Sequence, residues 1–330
     1  MRLKLTTYYH ANEVPPLPGE SAFHSTALFR IYESTPGYRP FLVVATEEER
    51  PVSKLLAVVR KGGRILIPNL LHRCEVFGTG EYFGEASCTR EELFEQMLER
   101  VTAEALPESF MIEFRDLSHP LFGYGAFSRN GYFPVSWLRV YNSLHSVERA
   151  EERFNPSRIR QVKRGLKSGA TVEEANTPEE VGAFIHMLHV NYSLKIRRHF
   201  PDRHFFEQLS EAEEKTAKKQ SRIFVVKYRD RIIGGSVCIY SGTTAYLWFT
   251  GGLRKSYALQ YPGILAVWKA MTDAKERGYE HFEFMDVGLP FQSHGYRDFV
   301  LRFGGKQVST RRWFRFRWPW LNSLLVRCFE

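Results

Sequence analysis

The 330-residue chain is 43% hydrophobic and 15% aromatic, enough apolar material for two packed cores, which excludes a disordered or low-complexity chain. Its 46 Lys and Arg outnumber 37 Asp and Glu, and the excess is one-sided: residues 1–150 hold 16 basic and 18 acidic side chains, residues 151–330 hold 30 and 19. The second half is therefore suited to an anionic partner, whether cofactor phosphates, a nucleotide-linked substrate, RNA or an acidic membrane surface.

The first half opens with a helical stretch, FHSTALFRIYES. PFLVVATEEERPVSKLLAVVRKGGRILIPNL then reads as strand, charged turn, strand, glycine turn, strand. After the loop LHRCEVFGTGEYFGE comes the helix TREELFEQMLERVTAEAL. Thr89 and Glu92 form a capping box, Leu93, Met97, Val101 and Ala105 line one face, and Pro107 ends it. The strand MIEFRDLS follows and stops at Asp116, before the aromatic and glycine segment AFSRNGYFP.

NPSRIRQVKRGLKSG links the halves as a basic helix, capped by Asn155, started by Pro156 and stopped by Gly169. Ile159, Val162 and Leu166 make its apolar stripe, so Arg160, Lys163, Arg164 and Lys167 are expected to face outward, either solvated or on a phosphate. The second half then repeats the first. TPEEVGAFIHMLHVNYSLK is a helix, RIFVVKYRDRIIGGSVCIYSGTTAYLWFTGG a three-strand meander, YPGILAVWKAMTDAKERG a helix from Pro262 to a stop at Gly278, and HFEFMDVG a strand ending at Asp286. DFVLRFGGK matches AFSRNGYFP. The tail WFRFRWPWLNSLLVRCFE alternates as an edge strand with a packed end, or with Trp320, Leu324, Leu325 and Arg327 resting in a lipid interface.

Spacing supports a duplication: Asp116 to Asp286 is 170 positions, Gly131 to Gly304 is 173 and Phe41 to Phe224 is 183. The expected fold class is α/β (α+β), in two tandem domains, 1–150 and 151–330 with the basic linking helix 156–169. Each is a mixed, mostly antiparallel sheet flanked by helices. The four cysteines, at 74, 88, 238 and 328, form no C-x-x-C pair, so neither a metal site nor a disulfide framework is expected. The N-terminal stretch has no signal-like apolar run and no segment reaches transmembrane length, so a cytoplasmic protein is expected, peripheral at most to the inner face of the membrane.

The order of elements resembles the GNAT acyltransferase fold, and the tandem arrangement resembles the Fem family that builds peptidoglycan cross-bridges. The resemblance spans nearly the whole chain and is most specific in RIRQVKRGLKSGATV, YPGILAVWKAMTDAKERGYEHFEFMDVG and DFVLRFGG. It implies an N-acyltransferase acting on an amine of a cell-envelope precursor or lipid, with acyl-CoA as donor and no metal. The alternatives are a peptidoglycan-bridge aminoacyltransferase using aminoacyl-tRNA, and a catalytically silent tandem fold that binds an anionic ligand or RNA. Three departures bear on the donor. Val300 follows Phe299 where tRNA-dependent Fem enzymes carry lysine, the coiled-coil arm of some Fem proteins is missing, and no R-x-x-G-x-G loop precedes Pro262.

Direct acyl transfer needs a proton acceptor for the amine and polar hydrogens aimed at the developing oxyanion. No G-x-S-x-G elbow suggests a covalent intermediate. Asp286 at the strand end is either that acceptor or a loop cap, with His294 and Tyr296 as further proton-transfer candidates. TTAYLWFTGG contributes Trp248, Thr250 and Gly251, whose backbone N–H groups face the acyl carbonyl if the strand lines the site. Arg254, Lys255 and Tyr261 stand before a helix N-terminus, a natural place for phosphate. Lys195, Arg197 and Arg198 lie in a segment that resembles the acceptor-binding region of Fem enzymes. Asp116 is expected to be structural.

Overall fold

The computed structural model describes residues 3–61, 72–117, 121–192, 201–211 and 220–329. The chain forms two compact units, residues 1–137 with 309–330, and residues 138–308. The chain thus leaves the first unit at Trp137, not near residue 150, and its end returns there.

In the first unit β1 (Leu3–Tyr8), β2 (Tyr38–Glu47), β3 (Arg50–Arg60), β4 (Arg73–Phe77), β6 (Met111–Arg115) and β13 (Lys306–Phe316) lie side by side in that order. The two-residue β5 (Glu81–Tyr82) pairs with β3. All of these pairs are antiparallel except β4 with β6. Helix α1 (Thr26–Ser34) is capped by the Ser25 hydroxyl, and α2 (Arg90–Ala105) has the capping box expected of Thr89 and Glu92. The periodic residues Leu93, Met97, Val101 and Ala105 are all buried in this unit's core.

The second unit orders the latter part of β7 (Phe133–Ser143), from Leu138, then β12 (His281–Phe284), β11 (Thr244–Gly252), β10 (Arg231–Ser241), β9 (Ser221–Tyr228) and β8 (Thr171–Glu174), with β11 and β12 parallel. Around it lie α4 (Pro156–Lys167), α5 (Pro178–Asn191), α6 (Arg203–Glu211) and α7 (Pro262–Glu276). The glycine segments hold short helices absent from the sequence reading, α3 (Tyr124–Arg129) and α8 (Gly295–Leu301), each followed by glycines at positive φ and then a strand.

The duplication is visible in detail. Both charged turns are two-residue hairpin turns whose residues, Glu48 and Glu49 in one copy and Arg229 and Asp230 in the other, are left-handed, the twist that tight hairpins require. Glu113 and Glu283, third in MIEFRD and HFEFMD, are both buried and both paired with arginine, Glu113 with Arg312 at 2.7 Å and Glu283 with Arg139 at 3.3 Å.

Three expectations are corrected. The strand expected in RILIPNL lies outside the described residues, and the segment read as a loop from residue 71 contains β4 instead. That strand is short and ends at a left-handed Gly78, so its alternation is easily missed. β13 is not an edge strand: within the first unit it pairs with β6 on one side and has Phe133, at the start of β7, stacked on Phe314 at the other, and Trp313 on it is completely buried. Leu166, expected in the apolar stripe of the basic helix, is 38% exposed, whereas Arg158, which the stripe did not assign, is 4% exposed. The buried face runs through Arg158, Val162 and Gly165 because a β-carbon at Gly165 would stand 2.7 Å from Gln260 O, which leaves room only for glycine.

Candidate active site

Parallel pairing of β11 with β12 runs only from Thr244 opposite His281 to Leu247 opposite Phe284. Beyond that point β11 continues to Gly252 against β10 alone. The chain after Phe284 turns the other way, with Val287 N–H donating to Leu138 O and Leu138 N–H donating to Gly288 O. The two strands therefore splay at residues 248–252 and 285–288. The register of β11 on β10 slips here as well: Leu247 faces Cys238 and Phe249 faces Val237, so Trp248 is the extra residue of a bulge, a device that bends a strand and redirects its groups. The first copy follows the same course, with β5 running on along β3 past the last β4–β6 pair, but there the aspartate at the strand end, Asp116, is buried.

Gly251 and Gly252 are the last residues of β11, not a turn. A β-carbon at Gly251 would meet Leu188 and Tyr192 of the α5 segment, and one at Gly252 would stand 2.6 Å from Gly263 N. The glycines thus let α5 and the start of α7 close onto the splayed strand. Gly252→Ala is expected to destabilise the protein by about 1–3 kcal/mol, since the opposing atom is backbone and cannot rotate away. The midpoint of denaturant unfolding measures it, and an unshifted midpoint would show that α7 is free to retreat.

Around the splay the side chains are mostly polar or aromatic. The Tyr192 hydroxyl donates to Thr250 O at 2.6 Å, while the Thr250 hydroxyl donates to Gly235 O at 3.2 Å. Tyr296, on the first turn of α8, is raised above the usual phenol range, chiefly by burial and further by Tyr192 and Asp286, whose charges it would face if ionised. Tyr296 therefore remains a proton-bearing donor and is near both groups. Asp286 itself is solvent-exposed, unlike Asp116, which is 3% exposed. Trp248 packs edge-on to Phe205 at 5.6 Å and stacks on Phe249 at 5.3 Å, making an aromatic wall with α6.

His294 is placed less directly. Its ring packs against Gly288, where an added β-carbon would lie 2.6 Å from it, and its Nδ1 is buried without a partner among the described residues. Phe299 stacks on Tyr296 at 6.2 Å. Arg254 and Lys255 are exposed in the loop before α7. Tyr261 occupies a left-handed conformation at the N-cap of that helix, offers no side-chain cap and packs on the core. Lys195, Arg197 and Arg198 lie outside the described residues.

The start of α7 is a poor cradle for phosphate by its backbone. Pro262 has no N–H, Ile264 and Leu265 N–H both donate to Tyr261 O, and Gly263 N lies against Gly252. Arginines take that place. Arg158 donates to Phe299 O at 2.9 Å and lies over the rings of Phe299 and Phe303 at 4.6 and 5.0 Å. Asn155 N–H, at the cap of the same helix, donates to Arg302 O at 2.9 Å. Burial lowers Arg158 to about 10, helped by the positive charges of Arg302 and Arg254. Among the described residues none of the three has a carboxylate partner, and Arg158 Nε is buried without an acceptor. Sequence reasoning missed Arg302 and Tyr192 and did not single out Arg158 from the other cations of its helix. The sign for Arg158 was its spacing with Val162 and Gly165, a helical face that includes a glycine.

A splayed parallel pair with a bulge at its opening, between two helices, defines the chain as having a GNAT-type acyltransferase fold. The comparisons with known proteins agree: residues 156–293 match the family model described as an acetyltransferase (GNAT) domain, and the Fem-like tandem arrangement is borne out by solved structures. The chain superposes on FemX with a TM-score of 0.63 at 12% identity, over 99% of each chain. It superposes on a tandem GNAT protein from the clavulanic acid biosynthesis pathway at 0.57 and 11% identity, over 96% of this chain and 99% of that one. L-PGS from Bacillus licheniformis matches at 0.52 and 13% identity, over 94% and 92%. No curated protein matches by sequence. Among the described residues no cluster of His, Cys, Asp and Glu has the makings of a metal site.

Proposed function

We propose that the chain is a Fem-like N-acyltransferase that moves an acyl group from acyl-CoA to an amine of a cell-envelope precursor or lipid, with the reaction centred in the second unit. The observation that carries this reading is the splay of β11 from β12, bordered by Tyr296 and by an exposed Asp286 whose counterpart in the first copy, Asp116, is buried. The acceptor class is suggested by two of the structural neighbours, FemX and L-PGS.

The residues fit a long donor that carries phosphate. Past Leu247, β11 presents a strand edge along which an extended amide chain fits, and Arg158, Arg254 and Arg302 supply positive charge where backbone amides are occupied. The donor supplies an activated carbonyl; the protein supplies position and proton traffic. Asp286 takes the proton that the attacking amine loses as the C–N bond forms. Tyr296 gives a proton to the departing sulfur as its bond to the carbonyl carbon breaks, and regains it from solvent. The bulge at Trp248 aims backbone groups at the carbonyl oxygen.

Mass spectrometry of small molecules and RNA copurifying with the protein tests this reading. A coenzyme A species supports it, a bound tRNA would replace it with aminoacyl transfer, and an anionic ligand with no transferable acyl group would favour a silent binding fold. With coenzyme A as donor, Arg254→Glu combined with Arg302→Glu is expected to raise donor KM about tenfold or more, the scale of charged hydrogen bonds, and leave kcat nearly unchanged. Added salt should erode the difference. An unaltered KM would return both side chains to solvent.

A further inference from the structure

Helix α9 (Pro319–Phe329) closes the first unit with apolar side chains on both faces: Leu321, Leu325 and Val326 are half-buried, while others stand in water. Its amide residue, Asn322, faces the protein, donating to Gly131 O at 2.8 Å and accepting the Phe316 N–H at 2.9 Å. The Phe329 ring is stacked on Phe133 at 5.3 Å. Trp320 and Leu324, one turn apart on the same face, point outward at 70% and 54% exposure, and no residue of the helix is buried. An indole and an isobutyl group thus stand in water on a helix that already has an apolar inner side, a second apolar stripe that a water-facing helix lacks.

The charge around this face indicates what covers it. Residues 309–330 contain five arginines and one acidic residue, Glu330. Arg312 is taken by Glu113 and Arg315 by Asn130 O. Arg327, on the same face as Trp320, and Arg317, just before the helix, are exposed. A second copy packed here by two-fold symmetry would oppose the exposed Arg317 and Arg327 to their own like charges. A lipid surface satisfies both features, because an indole settles at the headgroup boundary and guanidinium groups meet phosphate oxygens there. No described helix is long and apolar enough to cross a membrane, so the contact is in-plane.

We propose that α9 docks the protein on an anionic lipid surface, with Trp320 and Leu324 entering the acyl boundary and Arg317 and Arg327 facing the headgroups. This does not depend on the acyl-transfer reading. Cosedimentation of the full chain with phosphatidylglycerol–phosphatidylcholine vesicles, against pure phosphatidylcholine, tests it. The wild type is expected to pellet with the anionic vesicles and to be released by salt. Trp320→Ser with Leu324→Ser should lower that partitioning about tenfold or more, and Arg317→Gln with Arg327→Gln should weaken it and flatten its salt dependence. All four side chains are exposed, so both variants should melt like wild type. Absence of vesicle binding, or equal binding by the serine variant, would overturn the proposal. A dimer that the serine variant dissolves, with no vesicle binding, would assign the face to a second copy.

Discussion

Asp286→Asn is expected to lower turnover about a hundredfold or more without shifting the melting temperature, the usual scale of general-base assistance. The carboxylate is exposed at the mouth of the splay, and asparagine keeps a hydrogen-bond acceptor there while losing the capacity to take a proton. Asp116→Asn should leave turnover intact. Asp116 ends the matching strand but is buried, with its backbone N–H donating to Arg311 O and its carbonyl accepting from the Thr310 hydroxyl. Asparagine keeps both backbone bonds and a side-chain acceptor, so the melting temperature is expected to stay close to that of the wild type. Steady-state kinetics and thermal melting of the two variants separate these roles. Equal turnover in Asp286→Asn and wild type, with the donor identified, would leave Asp286 only its structural place at the strand end.

The second large effect is on stability in acid. His24 is 3% exposed, and its Nδ1 accepts the Leu56 N–H at 3.1 Å. Burial, and then the charge of Lys54, lowers it to about 3, against about 6.5 in an unfolded chain. Above pH 6.5 the ring is neutral in both states and the fold keeps its full stability. Below that the unfolded chain binds the proton first, so stability falls steadily until the folded ring also protonates near pH 3. The full window amounts to on the order of 5 kcal/mol, and about 2 kcal/mol is lost by pH 5. Denaturant unfolding at pH 7 and pH 5 measures the slope. His24→Gln, whose side-chain oxygen can accept the same N–H, should flatten it. The same loss in that variant would place the acid sensitivity elsewhere.

Much of the fold was legible because duplication is a property of sequence order. Capping residues, apolar periodicity and the paired aspartates recur at nearly constant spacing, and each depends on neighbours close in the chain. The two charged hairpin turns and the buried glutamates Glu113 and Glu283 belong to the same repeat. Local signals also marked Pro262 and Gly278 as the ends of α7, since a proline fits the first helical turn and a glycine the left-handed stop.

The candidate site was legible only in outline. Asp286 and Tyr296 stood out as proton-transfer groups, but their nearness to Tyr192 joins three segments distant in sequence. Periodicity assigned the outward cations of the linking helix and could not assign Arg158, whose burial follows from the close approach of α4 to the start of α7 at Gly165. The sequence by itself determined two copies of one mixed sheet-and-helix unit and a basic second half, because composition, caps and periods are written residue by residue. Only the tertiary structure decided that β13 returns to the first unit and that β11 parts from β12 after Leu247. Strand neighbours and register are set by contacts between segments far apart in the chain, which no local pattern encodes.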